Sequence, residues 1–306
     1  MAITLAEAEK LSNDVLLQGI IETIVKDSPI LQMLPFIQIP GNGLTYSRES
    51  TLPSIGFYDV GDTWAESTPT FDQHTATLRI MGGDADVDNY LKATRSNIND
   101  LEAAVVEQKA KALRHTFEEY FMCGNASASN KQFDGIRTLI DTGTASAQVI
   151  AAGATGGTLT LTMVDQLIDA VKGGKPDLLL MSRRSRRKLQ SLARAAGNNL
   201  QVGLGVLGEQ VQLYNGINVG VSDWVLDTHT VTASLEAATT GGACSTIYAL
   251  RFGEGALCGL TSPDMLQVER VGQLETKDAT RHRIKWYVSL ALFSSITCAA
   301  LIGVKD

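Results

Sequence analysis

The sequence predicts an α+β protein, and three observations carry that prediction. With 19% charged residues and 28 glycines in 306 residues, the chain leans toward sheets and turns around few long helices. One apolar stripe, Val106, Ala110, Leu113, Phe117 and Phe121, recurs at helical spacing and stops at Gly124. Near the C-terminus the period falls to two, most plainly where Arg281, Arg283 and Lys285 alternate with His282, Ile284 and Trp286.

Thr4-Leu5-Ala6-Glu7 is a capping box that starts a helix, and the stripe Leu16, Ile20, Ile24 with Ile21 and Val25 continues it until Pro29. This arm has an apolar side that needs a partner surface. From 35 to about 91 the chain turns rich in Thr, Ser, Gly and Pro, with alternating stretches at 44–47 and 75–80. It reads as a long two-stranded excursion whose tip, 51–69, has too little apolar mass for a core. A lone hairpin is marginal in water, so the tip is expected to rest on a neighbouring subunit.

Asn99 can cap the longest helix with Glu102 three residues on. At about 1.5 Å per residue it should span roughly 33 Å and serve as the backbone of a domain. Residues 162–171 read as a helix ended by Gly173-Gly174, 177–181 as a short buried strand, and 182–196 as a helix closed by Gly197. Strands are expected at 209–214, 247–252, 265–274 and 281–293.

Composition sets bounds on function. An apolar share of 44% supports one large or two modest domains. A net charge of −7 and a pI near 5.2 argue against a protein that wraps nucleic acid, because phosphate binding needs clustered Lys and Arg. Any DNA contact is expected to be local and weak. The four cysteines lie far apart without a CxxC pair, so neither a zinc site nor a disulfide framework is indicated. Residues 1–10 do not read as a secretory signal. Residues 286–304 carry no charge until Lys305 and come after a basic run, which fits either a membrane helix or a buried strand pair; the serines within it and the alternation before it favour the strands.

Few motifs suggest chemistry. Gly203-Leu204-Gly205-Val206-Leu207-Gly208 matches the dinucleotide fingerprint, but residues 209–214 alternate like a strand where a helix is required. A nicotinamide-dependent oxidoreductase is therefore a distant alternative. Asp84, Asp86 and Asp88 have calcium-loop spacing, yet Asn89 and Arg95 stand where that loop needs glycine and glutamate, so an acidic strand face is the better reading. Arg183, Arg184, Arg186, Arg187 and Lys188 form the one strong basic cluster, suited to DNA or to acidic groups of a neighbouring subunit. No histidine has metal or nucleophile spacing and no GxxxxGK[ST] occurs, so no catalytic residue, cofactor or metal is expected.

The succession of pieces resembles the tailed-bacteriophage major capsid proteins of the Hong Kong 97 type. An arm reaches Ile30-Leu31-Gln32-Met33-Leu34-Pro35-Phe36, and an extended loop comes next with Trp64-Ala65-Glu66 at its middle. The long helix leads into Gly124-Asn125 and Phe133-Asp134-Gly135-Ile136, then come Leu207-Gly208-Glu209-Gln210-Val211, Ile247 to Gly253, and the closing run from Arg283. The resemblance implies an N-terminal arm at 1–40 and an extended loop (E-loop) at 41–82. It further implies a peripheral domain at 83–139 and 271–293 with spine helix 99–123, and an axial domain at 140–270 and 294–306.

By the same resemblance the subunit is expected to form hexamers and pentamers of an icosahedral shell around double-stranded DNA, in the virion, after synthesis in the host cytoplasm. Leu16, Ile20, Ile24, Phe57, Trp64 and Glu66 are the inter-subunit contact candidates. Some relatives lock their shells with an isopeptide bond from a lysine of the extended loop; here 27–91 contain no lysine, so non-covalent contacts or a separate cement protein must hold the shell. The arm-like helix starts within the first residues, so no fused scaffold is expected, and a scaffold, if used, is a separate protein, as is the portal. An encapsulin-like compartment enclosing cargo enzymes is the alternative on the same fold, and no membrane partner is expected.

Overall fold

A computed structural model describes residues 29–95, 101–143, 148–197, 201–204, 210–229 and 242–305. The capping box at Thr4, the stripe Leu16, Ile20 and Ile24, the Asn99 cap and Gly205 to Gly208 lie outside the described residues. In chain order, α1 (Pro29–Met33), β1 (Phe36–Gln38), β2 (Gly43–Thr51), β3 (Thr70–Thr77), β4 (Arg79–Asp88) and α2 (Asn89–Arg95) precede the long α3 (Leu101–Cys123) and α4 (Ile136–Gly143). Next come β5 (Val149–Ala151), β6 (Gly157–Thr158), α5 (Leu161–Ala170), β7 (Leu178–Met181), α6 (Arg183–Ala195), β8 (Gln201–Leu204), β9 (Gln210–Tyr214), β10 (Ile217–Val221) and β11 (Ser245–Leu250). Last are β12 (Leu257–Gln273), β13 (Ala279–Leu292) and β14 (Cys298–Lys305).

The described strands form three sheets. A four-stranded sheet has the order β1-β12-β13-β4, and an eight-stranded one the order β5-β14-β11-β7-β10-β9-β8 with β6 also on β14. Among the described strands, β2 and β3 pair only with each other. The excursion expected over 35–91 is thus divided: β2 and β3 form the two-stranded part, while β1 and β4 join the four-stranded sheet beside β12 and β13.

The eight-stranded sheet explains the apolar runs. All four residues of β7 and all six of β11 are buried, because helices and loops cover both faces. Leu179 and Met181 face α5 and α6 together with Ile247, Ala249, Ala299 and Leu301. Leu178 and Leu180 face the opposite way, into the core that holds α3. The uncharged stretch at 286–304 is the end of β13 and most of β14, and among the described residues no helix is long and apolar enough to cross a membrane. α5 and α6 start where hydroxyls accept otherwise unpartnered amides: Thr160 Oγ1 from Met163 N at 3.3 Å, and Ser182 Oγ from Ser185 N at 3.2 Å.

The helix α3 packs its aromatic stripe on the four-stranded sheet. Phe117 and Phe121 are fully buried, and the Phe117 ring lies 4.8 Å from that of Trp286 and 6.2 Å from that of Phe36. At its C-terminal end Gly124 and Gly135 meet backbone to backbone: Gly135 N donates to Gly124 O at 2.9 Å, and a Cβ on Gly135 would lie 2.5 Å from Tyr120 O. That contact turns the chain from α3 into α4, a helix that periodicity does not suggest.

Two differences from expectation have simple causes. β12 begins at Leu257, ahead of the expected 265, because its first part is held between β1 and β13; Gly259, Pro263 and a register shift between Thr261 and Leu266 blur the alternation. The Asp84, Asp86, Asp88 series lies on β4, but cations from β13 occupy it. Arg281 donates to both Asp86 oxygens at 2.6 and 2.7 Å, and Arg283 to both Asp84 oxygens at 2.7 and 2.9 Å. Asp88 caps α2 by accepting from Tyr90 N at 2.9 Å, and no cluster of metal-ligating side chains forms among the described residues.

Hydrogen bonds from Arg283 and Arg281 hold the Asp84 and Asp86 carboxyls below the usual carboxylate range. A lowered folded-state pKa gives stability that is present above the unfolded value and lost as pH falls through the folded one. Asp86→Asn is therefore expected to lower the urea midpoint modestly at pH 7, with the difference from wild type shrinking as pH drops below about 4. Urea titrations across that range check it, and a difference that is constant in pH would refute it.

Candidate assembly interface

The β2–β3 sheet is fixed at one end and free at the other. Its inner face carries Leu44, Tyr46 and Ala76, which pack on Ile39, Cys258, Leu260 and Ala291 of the body. Tyr46 meets Phe293 edge-on at 4.9 Å. Arg48 is the next residue after Tyr46 on the same face by strand alternation, and its guanidinium donates to Leu292 O through Nε at 3.0 Å and through Nη2. Sequence reading missed this residue, since nothing local distinguishes an inward arginine from an outward one.

The connection between β2 and β3 extends beyond that support. Leu52, Ile55, Phe57, Val60 and Trp64 are 75% to 108% exposed, and Glu66 is exposed as well. Their order comes from within the tip. Tyr58 stacks on Trp64 at 4.6 Å, Ala65 N donates to Tyr58 Oη at 3.2 Å, and Ser67 Oγ donates to Ser54 O at 3.0 Å. A turn at Asp59 to Asp62 is closed by Asp62 N on Asp59 O at 3.1 Å, with Gly61 at a φ of +98°. A cluster of large apolar groups exposed in this way marks a contact surface more often than a solvated loop. Phe57, Trp64 and Glu66 are thus brought together, with Leu52, Ile55 and Val60 as additions not singled out in the sequence.

The basic cluster lies on α6, whose buried face is Ser185, Leu189 and Ala193. Among the described residues, Arg183 and Arg184 of this cluster are engaged within the chain. Arg183 pairs with Asp223 at 2.8 Å, and Arg184 contacts Asp227 at 3.5 Å and Ala243 O at 2.9 Å. Arg187 is exposed, with Arg186 and Lys188 half-buried beside it, so the cluster is smaller than its sequence suggests. Gly203 and Leu204, the described part of the glycine motif, end β8, which pairs antiparallel with β9 at the sheet edge. A dinucleotide fold needs a strand running into a helix there, so the fingerprint lacks its structural context.

The fold has known counterparts. The SrpI encapsulin of Synechococcus elongatus, seen in its holo complex, superposes with a TM-score of 0.68 at 16% identity over 100% of this chain and 97% of that one. The capsid subunit of a native GTA particle gives 0.66 at 16% identity, covering 92% of each chain. A chain from Mycobacterium phage Bobi gives 0.63 at 15% identity, covering 100% of this chain and 99% of that one. Identities this low speak for the fold alone. Among curated proteins, none matches the sequence. The sequence profile of the Phage capsid family matches residues 11–235. Since that match takes in well over half of the chain, on a fold shared with phage shells, this protein belongs to the Phage capsid family and is a shell-forming structural subunit.

Proposed function

We propose that the subunit builds an icosahedral shell of hexamers and pentamers around double-stranded DNA through non-covalent contacts, the β2–β3 tip of each copy lying on its neighbour. The exposed apolar tip carries this reading: Leu52, Ile55, Phe57, Val60 and Trp64 stand 75% to 108% exposed on a segment held in shape by its own contacts, among them the stack of Tyr58 on Trp64. Contacts that are weak singly gain strength when a closed symmetric shell repeats them. Residues 27–91 offer no lysine for a covalent lock.

On this reading 1–40 are the arm, 41–82 the extended loop, 83–139 with 271–293 the peripheral domain, and 140–270 with 294–306 the axial domain. The virion is the site of action and the host cytoplasm the place of synthesis. Arg186, Arg187 and Lys188 are the groups best suited to touch packaged DNA, and the net charge of −7 keeps that contact weak. Scaffold, portal and cement functions fall to other proteins.

The expressed chain, viewed by negative-stain microscopy, is expected to show closed shells; a population of compact monomers under all assembly conditions would overturn the proposal. The likeness to an encapsulin over nearly its whole length supports a second reading, a compartment for cargo enzymes. Nucleic acid in shells purified from infected cells favours the virion, and a co-purifying protein cargo without DNA favours the compartment.

A further inference from the structure

At the root of the β2–β3 sheet, where it meets the start of β4, the end of β13 and the link from α3 to α4, lies a cavity of about 200 Å³. Arg48, Arg79 and His74 line it, together with the polar groups of Tyr46, Thr77 and Asp134. Arg48 is 8% exposed, and among the described residues the acceptors it reaches are neutral: Leu292 O, Tyr46 Oη at 3.4 Å and His74 Nε2 at 3.5 Å. Burial, then the neighbouring Arg48, lower the His74 pKa, which keeps this imidazole uncharged near neutral pH. The Nε of Arg79 is buried and has no hydrogen-bond partner.

Arg48 is buried and Arg79 half-buried, and although the Asp134 carboxylate lines the same cavity, it is not ion-paired with either arginine. Asp134 gives its Oδ1 to the Ala126 amide at 2.8 Å, and Asp72, the cross-strand neighbour of Arg48, is exposed; no carboxylate among the described residues forms an ion pair with Arg48 or Arg79. Buried charges in folded proteins are paired, because taking a lone guanidinium out of water is unfavourable. Planar guanidinium donors with hydroxyls around them match the oxygens of a small anion.

We propose that this cavity binds one small oxyanion of the phosphate or sulfate class, held by Arg48 and Arg79. Bound there, it neutralises both arginines and ties the two-stranded sheet to β4 and to the α3–α4 link, setting the angle at which the tip leaves the body. The same chemistry has a second source, a side-chain carboxylate from a neighbouring copy, and the test separates the two.

The test uses the full chain as free subunits, dialysed free of phosphate and sulfate and titrated calorimetrically with each at ionic strength held constant by chloride. One saturable site is expected for both anions. Arg79→Gln and Arg48→Gln should each weaken it at least tenfold, while Arg270→Gln, on the exposed β12 surface, leaves it unchanged. Should Arg48→Gln fail to fold for loss of its bonds to Leu292, Arg79→Gln still decides, since Arg79 Nε has no hydrogen bond to lose. No saturable response, or one that Arg79→Gln leaves intact, would overturn the site. So would free subunits blind to both anions while Arg79→Gln blocks assembly, the signature of a neighbour's carboxylate. The site needs only the chain's own fold, so these titrations stand whether or not shells form.

Discussion

A chain in which residues 50–70 are replaced by an Asn-Gly turn is expected to fold with the stability of the parent and to form no shells. The two cut ends, Glu49 and Phe71, are direct partners across the β2–β3 pair, so a two-residue turn joins them without altering the register below. Contacts that hold the sheet to the body lie beneath the cut: the Arg48 bonds to Leu292 O, the Tyr46 contact with Phe293, and the Leu44 and Ala76 packing. Within the removed segment, the ring stack of Tyr58 on Trp64 and the hydrogen bonds of Ala65 and Ser67 run to other residues of the tip. The urea midpoint and far-UV circular dichroism should therefore stay close to the parent's, within about 0.5 kcal/mol. Assembly is another matter, because each large apolar side chain of the tip offers about 1.5–3 kcal/mol if a neighbour buries it. Spread over five side chains, that is enough to offset the several kcal/mol of freedom lost in docking one copy on another. Normal shells from this deletion, seen by light scattering or microscopy, would remove the tip from the assembly mechanism.

The division between root and tip is only half legible in the sequence. The apolar mass of 51–69 is too small to build a core of its own, which the sequence shows, but the full exposure of Ile55, Phe57 and Val60 depends on where the rest of the chain goes. The root is hidden for a different reason. Alternation places Arg48 on one face with Tyr46, yet whether that face meets solvent or Leu292 is settled by a partner 244 residues away. The Asp84 and Asp86 series shows the same limit, since its spacing is visible locally while Arg283 and Arg281 lie 199 and 195 residues off. Features closed within one element are easier to read. The α3 stripe, the capping hydroxyl of Ser182, and the buried run of β7 all rest on neighbours within a few positions, where periodicity and capping rules apply. The cavity beside Arg79 has no sequence signal at all, because four segments far apart in the chain build it.

The same chemical change at two phenylalanines should separate folding from assembly. Phe117 is fully buried, with the rings of Trp286 at 4.8 Å, Phe121 and Phe133 at 6.0 Å and Phe36 at 6.2 Å, so one side chain joins α3 to β1, β13 and the link that precedes α4. Removing it deletes apolar contact and leaves a void that four rings from separate elements cannot close together, so Phe117→Ala is expected to cost about 3–5 kcal/mol. Against a typical total stability of about 5–15 kcal/mol, that loss places the subunit near its threshold and lowers the yield of folded protein. Phe57 lies in the tip, more exposed than in an extended peptide at 108%, and Phe57→Ala should leave the urea midpoint within about 0.5 kcal/mol of wild type while slowing or weakening shell formation. Denaturation curves paired with assembly assays on the two variants read both effects. If Phe57→Ala destabilised the free subunit as much as Phe117→Ala, the tip would be packing against its own chain in solution, and its role as a limb lent to a neighbour would be lost.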